Sequence, residues 1–436
     1  MKKNAIEYIK SHDLIRHNMV FFVGSLFIAL FNYLYYPIIG RMVSVSSFGE
    51  IQAIISIFMQ LGIILTTFGY VVTNIVNNTK NHAKSEQLII KLEQITLIIC
   101  ITIFVLLCAV SLSLKTSLQF TSIIPLILVG ILIIINVPST SRTYFLQGLR
   151  RLKEVSIAGI IFSVGKLVIS VVLILLGYNV AAVMIGYIIA QTITLLYLLA
   201  KTKNGFSGLT RSFSLNHISS AADRKVVKAE LVYGLAILVL LSGITLMYTS
   251  DSIIVRLFFS PAESGTYSGI SAVSRIVFFV TASIAGVLIA SVKMEDSRKT
   301  NEAILRKSFA LMLAIGGMVS LFFSIFPIFS VTLLLGAKYA GTAYLLPLMS
   351  LLILVCSFNN LLICYDIALR RFKIIYSVIA GIAILCLLIT LSHDSFIHIV
   401  LDYLISNLVV FVLISVQVLK RKDHAQATTF SRIAQL

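Results

Sequence analysis

The sequence predicts an all-α polytopic membrane protein of twelve transmembrane helices, in two six-helix lobes related by a pseudo-two-fold axis along the membrane normal. Three observations carry this prediction. Of the 436 residues, 58% are hydrophobic and 12% charged, with a mean hydropathy of +1.01, a balance foreign to soluble domains. Apolar runs close to the roughly 20 residues that cross a hydrocarbon core of about 30 Å recur along the chain. Short motifs also repeat at an offset of about 220 residues, as a doubled six-span unit requires. A strand-built barrel would need short alternating segments, which the chain lacks.

The expected spans of the first half are Met19–Gly40, Ile51–Ile75, Ile95–Leu114, Ser122–Phe145, Val155–Leu176 and Val180–Ala200. Those of the second half are Leu231–Val255, Gly265–Val292, Ser308–Leu335, Tyr344–Asp366, Ile374–Leu391 and Phe396–Leu419. Each is long enough to cross with some tilt. Residues 1–200 then form the first lobe, 201–230 a cytoplasmic linker, 231–420 the second lobe and 421–436 a cytoplasmic tail. The stretch from Met1-Lys2-Lys3 to Asn18 is polar and carries no cleavage site, so the first span is expected to be retained.

Charge orients the spans. Most of the 35 Lys and Arg residues fall in alternate gaps, whereas the opposite gaps hold only Arg41, Lys115, Arg256 and Lys338. The positive-inside rule places both termini in the cytoplasm. A net charge of +18 in short loops beside apolar spans fits topology and anionic headgroups rather than nucleic acid. Cys100, Cys108, Cys356, Cys364 and Cys386 lie within or at the ends of apolar runs without ligand spacing, so they imply neither a metal site nor a disulfide framework.

The duplication is visible residue by residue. Leu149-Arg150-Arg151-Leu152-Lys153 follows the fourth span, and Leu369-Arg370-Arg371-Phe372-Lys373 the tenth. Pro125 and Pro347 sit near the starts of those spans. Arg41 with Phe48-Gly49 follows the first span, and Arg256 with Ser264-Gly265 the seventh.

These segments resemble the polysaccharide-biosynthesis flippases of bacteria, the O-antigen and capsule repeat-unit translocases of the multidrug/oligosaccharidyl-lipid/polysaccharide exporter superfamily. The resemblance rests on Arg41-Met42-Val43-Ser44-Val45-Ser46-Ser47-Phe48-Gly49 and Leu146-Gln147-Gly148-Leu149-Arg150-Arg151. It also rests on Asp251-Ser252-Ile253-Ile254-Val255 with Gly265-Thr266-Tyr267, and on Leu335-Gly336-Ala337-Lys338-Tyr339. It implies a two-lobed transporter in the inner membrane that moves undecaprenyl-pyrophosphate-linked oligosaccharide outward by alternating access. The implied partners are that substrate, membrane lipids, and the polymerase and chain-length machinery of O-antigen and lipopolysaccharide assembly. No cofactor is implied. The lipid II flippases of the superfamily usually have fourteen spans, and two further spans after Leu419 are not found.

Two cations lie deep inside apolar runs. Lys166 is about eleven residues into the fifth span and Arg275 about ten into the eighth, so at about 1.5 Å per residue both sit near the midplane. A cation there costs at least about 2.5–3.5 kcal/mol. Either the pair serves a substrate diphosphate, with Arg offering a fork and Lys a point charge, or each meets a carboxylate or carbonyls between helices. Arg142 follows the polar break Asn136-Val137-Pro138-Ser139-Thr140-Ser141 near the inner end of the fourth span, and either lines a cavity or snorkels to the interface. Asn359 and Asn360 occupy the corresponding place in the tenth span. Asp251, Asp366 and Asp402 are the carboxylates read as candidates for ion coupling. Their structural alternatives are pairing with Arg256, with Arg370 and Arg371, and with His398, respectively. Tyr33, Tyr35 and Tyr36 are interfacial anchors or cavity lining for sugars.

No Ser-His-Asp arrangement, phosphate-cradling glycine loop or metal cluster appears, so the chain reads as a transporter rather than an enzyme. A multidrug exporter for organic cations would favour carboxylates at the midplane, where this chain has excess positive charge. A membrane polymerase or glycosyltransferase would need a sizeable extramembrane loop, which the short outer gaps do not provide.

Overall fold

A computed structural model describes residues 24–78, 82–202, 221–293 and 296–420. The start of the first expected span, most of the linker and the tail lie outside these residues. The described chain contains helices and no strand. Helix α1 covers 24–42, followed by α2 (Val45–Asn78), α3 (His82–Ser117), α4 (Ile124–Gly148), α5 (Leu152–Leu175) and α6 (Asn179–Thr202). Then come α7 (Ala221–Thr249), α8 (Asp251–Phe258), α9 (Pro261–Ser274), α10 (Ile276–Ser291), α11 (Arg298–Ile325) and α12 (Pro327–Leu335). A 3₁₀ stretch (Ala337–Leu345) leads into α13 (Leu346–Ala368), followed by α14 (Ile375–Leu391) and α15 (Phe396–Leu419).

Among the described residues, ten continuous stretches are long and apolar enough to cross a membrane, and α14 is a shorter apolar helix. Three expected spans are irregular. The seventh breaks at Ser250, whose hydroxyl is turned back to the Leu246 carbonyl at 2.5 Å and contacts Tyr403 Oη at 2.6 Å. The eighth is only locally distorted at Arg275, which ends α9 and opens α10 while helical hydrogen bonds continue on both sides, Arg275 N–H to the Ser271 carbonyl and Phe279 N–H to the Arg275 carbonyl. The ninth breaks at Phe326, because Pro327 lacks the amide needed to continue α11 and suits the first turn of α12. Large apolar side chains remain exposed, including Leu175 (75%), Leu391 (72%) and Met318 (72%). That much bare apolar surface belongs against lipid, not water.

The described residues form two compact units. The first holds 24–35, 64–112 and 122–221, and the second 36–63, 113–121 and 222–420. In the first, α6 packs against α4 and α5; in the second, α13 packs against α10, α11 and α15. Small residues permit close helix approach. A side chain on Gly186 of α6, for example, would meet Ser170 Oγ of α5 at 2.3 Å.

Repeat-equivalent positions share backbone detail. Arg150 and Arg370 both adopt a left-handed conformation, with φ of 58° and 51°. In each case the next residue's amide reaches back across the helix end, Arg151 to the Leu146 carbonyl and Arg371 to the Asp366 carbonyl, at 2.9 and 2.8 Å. Glycine usually occupies such a helix-ending position. In the second unit the equivalent Gly49 and Gly265 touch, and a Cβ on Gly49 would lie 2.7 Å from Gly265 Cα. The equivalent arginines also act alike. Arg41 donates to the Leu333 and Leu334 carbonyls at the end of α12, and Arg256 to the Leu118 and Gln119 carbonyls just past α3. A cation there complements the negative end of a helix.

Candidate functional site

In the first unit Lys166 projects from α5 into an aromatic box. Phe162, one turn earlier on the same face, contributes one wall, while Tyr35 of α1 and Tyr187 of α6 contribute the others. Lys166 Nζ lies 4.9 Å from the Tyr187 ring centroid, 5.1 Å from Tyr35 and 5.4 Å from Phe162. Tyr187 packs edge-on against both other rings at 5.6 and 5.8 Å, so the box is a mutually braced set. Nζ also donates a long hydrogen bond to Tyr187 Oη at 3.5 Å. The lysine is 7% exposed. Among the described residues, no carboxylate lies within ion-pairing distance of it. A desolvated cation–π contact contributes up to about 2 kcal/mol, so three rings offset a large part of the burial cost while leaving the charge uncancelled.

Arg275 in the second unit is held differently. It is 1% exposed, and its Nη2 donates to Asp251 Oδ1 at 2.9 Å and to Ser252 Oγ at 3.3 Å. Nη1 reaches Gln52 Oε1 at 3.5 Å, and the guanidinium stands over the Tyr248 ring at 5.6 Å. Ser271 Oγ donates to the other Asp251 oxygen at 2.5 Å. The junction of α9 and α10 sets Arg275 where it meets α8. Arg275 Nε, Gln52 Nε2 and Ser268 Oγ are buried without a hydrogen-bond partner among the described residues, so polar capacity remains around the pair. Asp251 thus pairs with Arg275 rather than with Arg256, its neighbour in sequence. Arg256 instead lies 3.8 Å from Glu50. Its position near the end of α8, five residues after Asp251, directs it to the chain just past α3.

Arg142 does not snorkel. It is fully buried, pairs with Glu93 of α3 at 3.3 Å and donates to the Pro138 carbonyl at 2.8 Å. Asn136 donates to Leu132 O within α4. Asn359 donates to the Asn407 carbonyl and side-chain oxygen at 3.0 and 3.2 Å, joining α13 to α15. Asn360 accepts a long contact from Cys364 at 3.8 Å. Asp402 accepts from Ser392 Oγ at 3.4 Å and lies within electrostatic reach of His398. Asp366 is buried, its main-chain carbonyl closing the turn at Arg371. The structure therefore gathers Arg275 and Asp251 into one cluster and leaves Lys166, Arg142, Asn136, Asn359, Asn360, Asp366 and Asp402 in separate surroundings.

Three features escaped sequence reasoning. Glu50 and Glu93 belong with the membrane-level carboxylates, yet both fall just outside the purely apolar runs used to delimit spans. Helices α2 and α3 begin well before those runs, so both acids are helical and buried. The aromatic box was legible only in part, because Tyr35, Phe162 and Tyr187 come from three helices.

This is a multi-pass membrane protein whose fold is shared by solved structures. An inward-facing multidrug resistance MATE family transporter of the MOP superfamily matches 92% of the chain with 98% of its own length, at a TM-score of 0.70 and 13% identity. An outward-facing MATE family transporter of that superfamily scores 0.60 at 12% identity, covering 93% of this chain and 94% of its own. The eukaryotic MATE transporter AtDTX14 scores 0.57 at 12% identity, over 97% and 98%. At such identities the likeness concerns the fold. None of the curated proteins is similar enough in sequence to count as a match. The chain belongs to the polysaccharide biosynthesis protein family, whose model matches residues 14–290.

Proposed function

We propose that this chain is a flippase that carries undecaprenyl-pyrophosphate-linked oligosaccharide repeat units from the cytoplasmic to the periplasmic leaflet by alternating access. In this reading twelve helices form two six-helix lobes in a bacterial inner membrane, with both termini in the cytoplasm. Family membership supports the polysaccharide context. The observation that carries the reading is Lys166, a buried cation braced by rings and left without a carboxylate among the described residues.

The energetic task is to take sugars and a diphosphate through a layer where each unpaired polar group costs several kcal/mol. In the first unit Lys166 supplies an uncancelled point charge for a phosphate group; in the second, taken by itself, Arg275 offers a fork able to exchange its carboxylate for phosphate oxygens. The rings around Lys166 also suit the apolar faces of sugars. With the cytoplasm negative, outward movement of each negative charge gains about 2.3 kcal/mol per 100 mV. The O-antigen class of substrate, the polymerase partners and transport coupling through Asp251, Asp366 or Asp402 belong to this proposal. So does substrate contact by Arg142, Asn136, Asn359 and Asn360.

A second reading, export of organic cations, is favoured by the aromatic box, since rings bind such cations. Lys166 already fills that box, and a second cation there would be repelled. The test is a deletion strain. It is expected to accumulate lipid-linked repeat units and lose surface polysaccharide, with both restored by the wild-type gene. Intact surface polysaccharide in the deletion strain would overturn the flippase reading.

A further inference from the structure

The Arg275 fork, which the flippase reading assigns to an anion, already holds one: Asp251. The carboxylate is 6% exposed, both its oxygens are engaged, and its counter-cation is Arg275 at 2.9 Å. Nη2 spends its two hydrogens on Asp251 and Ser252, so a phosphate that binds across the fork through the unpartnered Nε and Nη2 displaces the carboxylate. If the diphosphate displaces Asp251, an unpaired carboxylate stays behind in a site with little water. A group so placed takes up a proton rather than remain charged.

We infer that Asp251 is a proton-binding site linked to anion binding: a substrate phosphate and Asp251 compete for the Arg275 guanidinium, and one proton joins Asp251 as the anion takes its place. The inference rests on the flippase reading for the identity of the anion. At Arg275 the exchange balances for one phosphate charge, which replaces the carboxylate charge that the proton neutralises; the other phosphate charge is carried in with the ligand. One hydrogen bond from Arg275 Nη2 to Asp251 Oδ1 breaks, one to a phosphate oxygen forms, and a proton from solvent neutralises the carboxylate. Ser271 Oγ stays beside the resulting carboxylic acid and accepts its proton in a hydrogen bond.

The surroundings bear on where that proton goes. Tyr267 of α9, Tyr403 of α15, Tyr248 of α7 and Cys356 of α13 lie within electrostatic reach of Asp251. Tyr36 of α1 faces Arg275. Gln52 of α2 is neutral, and Arg256 on α8 is engaged by Glu50 and by carbonyls. Among these groups, the phenols and the thiol ordinarily hold their protons at neutral pH. Asp251 is therefore the acceptor in this cluster. Linkage fixes the sign: because the complex holds one more proton than the free protein, affinity rises as pH falls.

Calorimetry on the full chain in lipid nanodiscs tests this, with a short prenyl-diphosphoryl-N-acetylglucosamine as probe. That diester has no counterpart of the second proton of a phosphate monoester, which leaves near a pH of about 6. Titrations in two buffers of different ionisation enthalpy count the protons taken up. The expected wild-type result is about one proton per probe bound, with affinity rising up to about tenfold for each pH unit of acidification. Asp251→Asn is expected to bind with no proton uptake and no pH dependence. Ser271→Ala, which removes a donor to the ionised carboxylate, is expected to bind more tightly than wild type at pH 8; it also serves if Asp251→Asn does not fold. Probe binding without proton uptake, or uptake that persists in Asp251→Asn, overturns this inference and leaves the flippase reading standing. Absence of probe binding in all three proteins overturns both.

Discussion

The two buried cations solve the same electrostatic problem in opposite ways. Lys166 is surrounded by polarisable rings that lower the cost of its charge without cancelling it. Arg275 is cancelled outright by Asp251 and trimmed by Ser252 and Gln52. The difference teaches that depth in an apolar run does not by itself make a cation available. On the flippase reading, an anion would meet Lys166 as it stands, whereas at Arg275 it would first displace Asp251. It also separates stability from function. A paired charge leaves a partner stranded when removed, and an unpaired one does not.

Removing one member of the pair should produce the largest effect. Arg275→Met strands a buried carboxylate and is expected to destabilise the fold by about 3–5 kcal/mol, seen as a lowered thermal midpoint in detergent. The double variant Arg275→Met/Asp251→Leu strands nothing and should recover most of that loss, because apolar replacement of a whole buried pair is often neutral. Failure of the double variant to recover would show that the pair does more than balance charge. The smallest effect should come from the box. Tyr187→Leu removes two edge-on ring contacts together with one of three cation–π contacts and a long hydrogen bond to Lys166, but Tyr35 and Phe162 still face the lysine and no counter-ion is stranded, so the loss is expected to stay below that of Arg275→Met. A loss as large as that of Arg275→Met would erase the distinction between the two regions.

Much of the fold was legible because lipid imposes simple rules. Apolar run length placed helices wherever the chain is described, and the duplicated Leu-Arg-Arg turns close their helices with the same backbone hydrogen bonds. The irregularities at Ser250 and Arg275 were not legible, since no proline or glycine marks them. Pro327, by contrast, was a readable signal for the break that ends α11. In the site, Lys166 and Arg275 announced themselves by their cost in an apolar run. Their surroundings did not: the partner of Arg275 is 24 residues away and the walls around Lys166 come from three helices. Glu50 and Glu93 were hidden because an acid one or two residues before an apolar run looks like the end of a loop.

The claim at the centre is that Lys166 is an uncancelled charge kept for an anion. Lys166→Met tests it most directly, because the side chain stays unbranched, one atom shorter, and loses its charge without orphaning a carboxylate. In a deletion strain at native expression, the variant is expected to fold with undiminished thermal stability and still accumulate lipid-linked repeat units. Full restoration of surface polysaccharide by that variant would contradict the account.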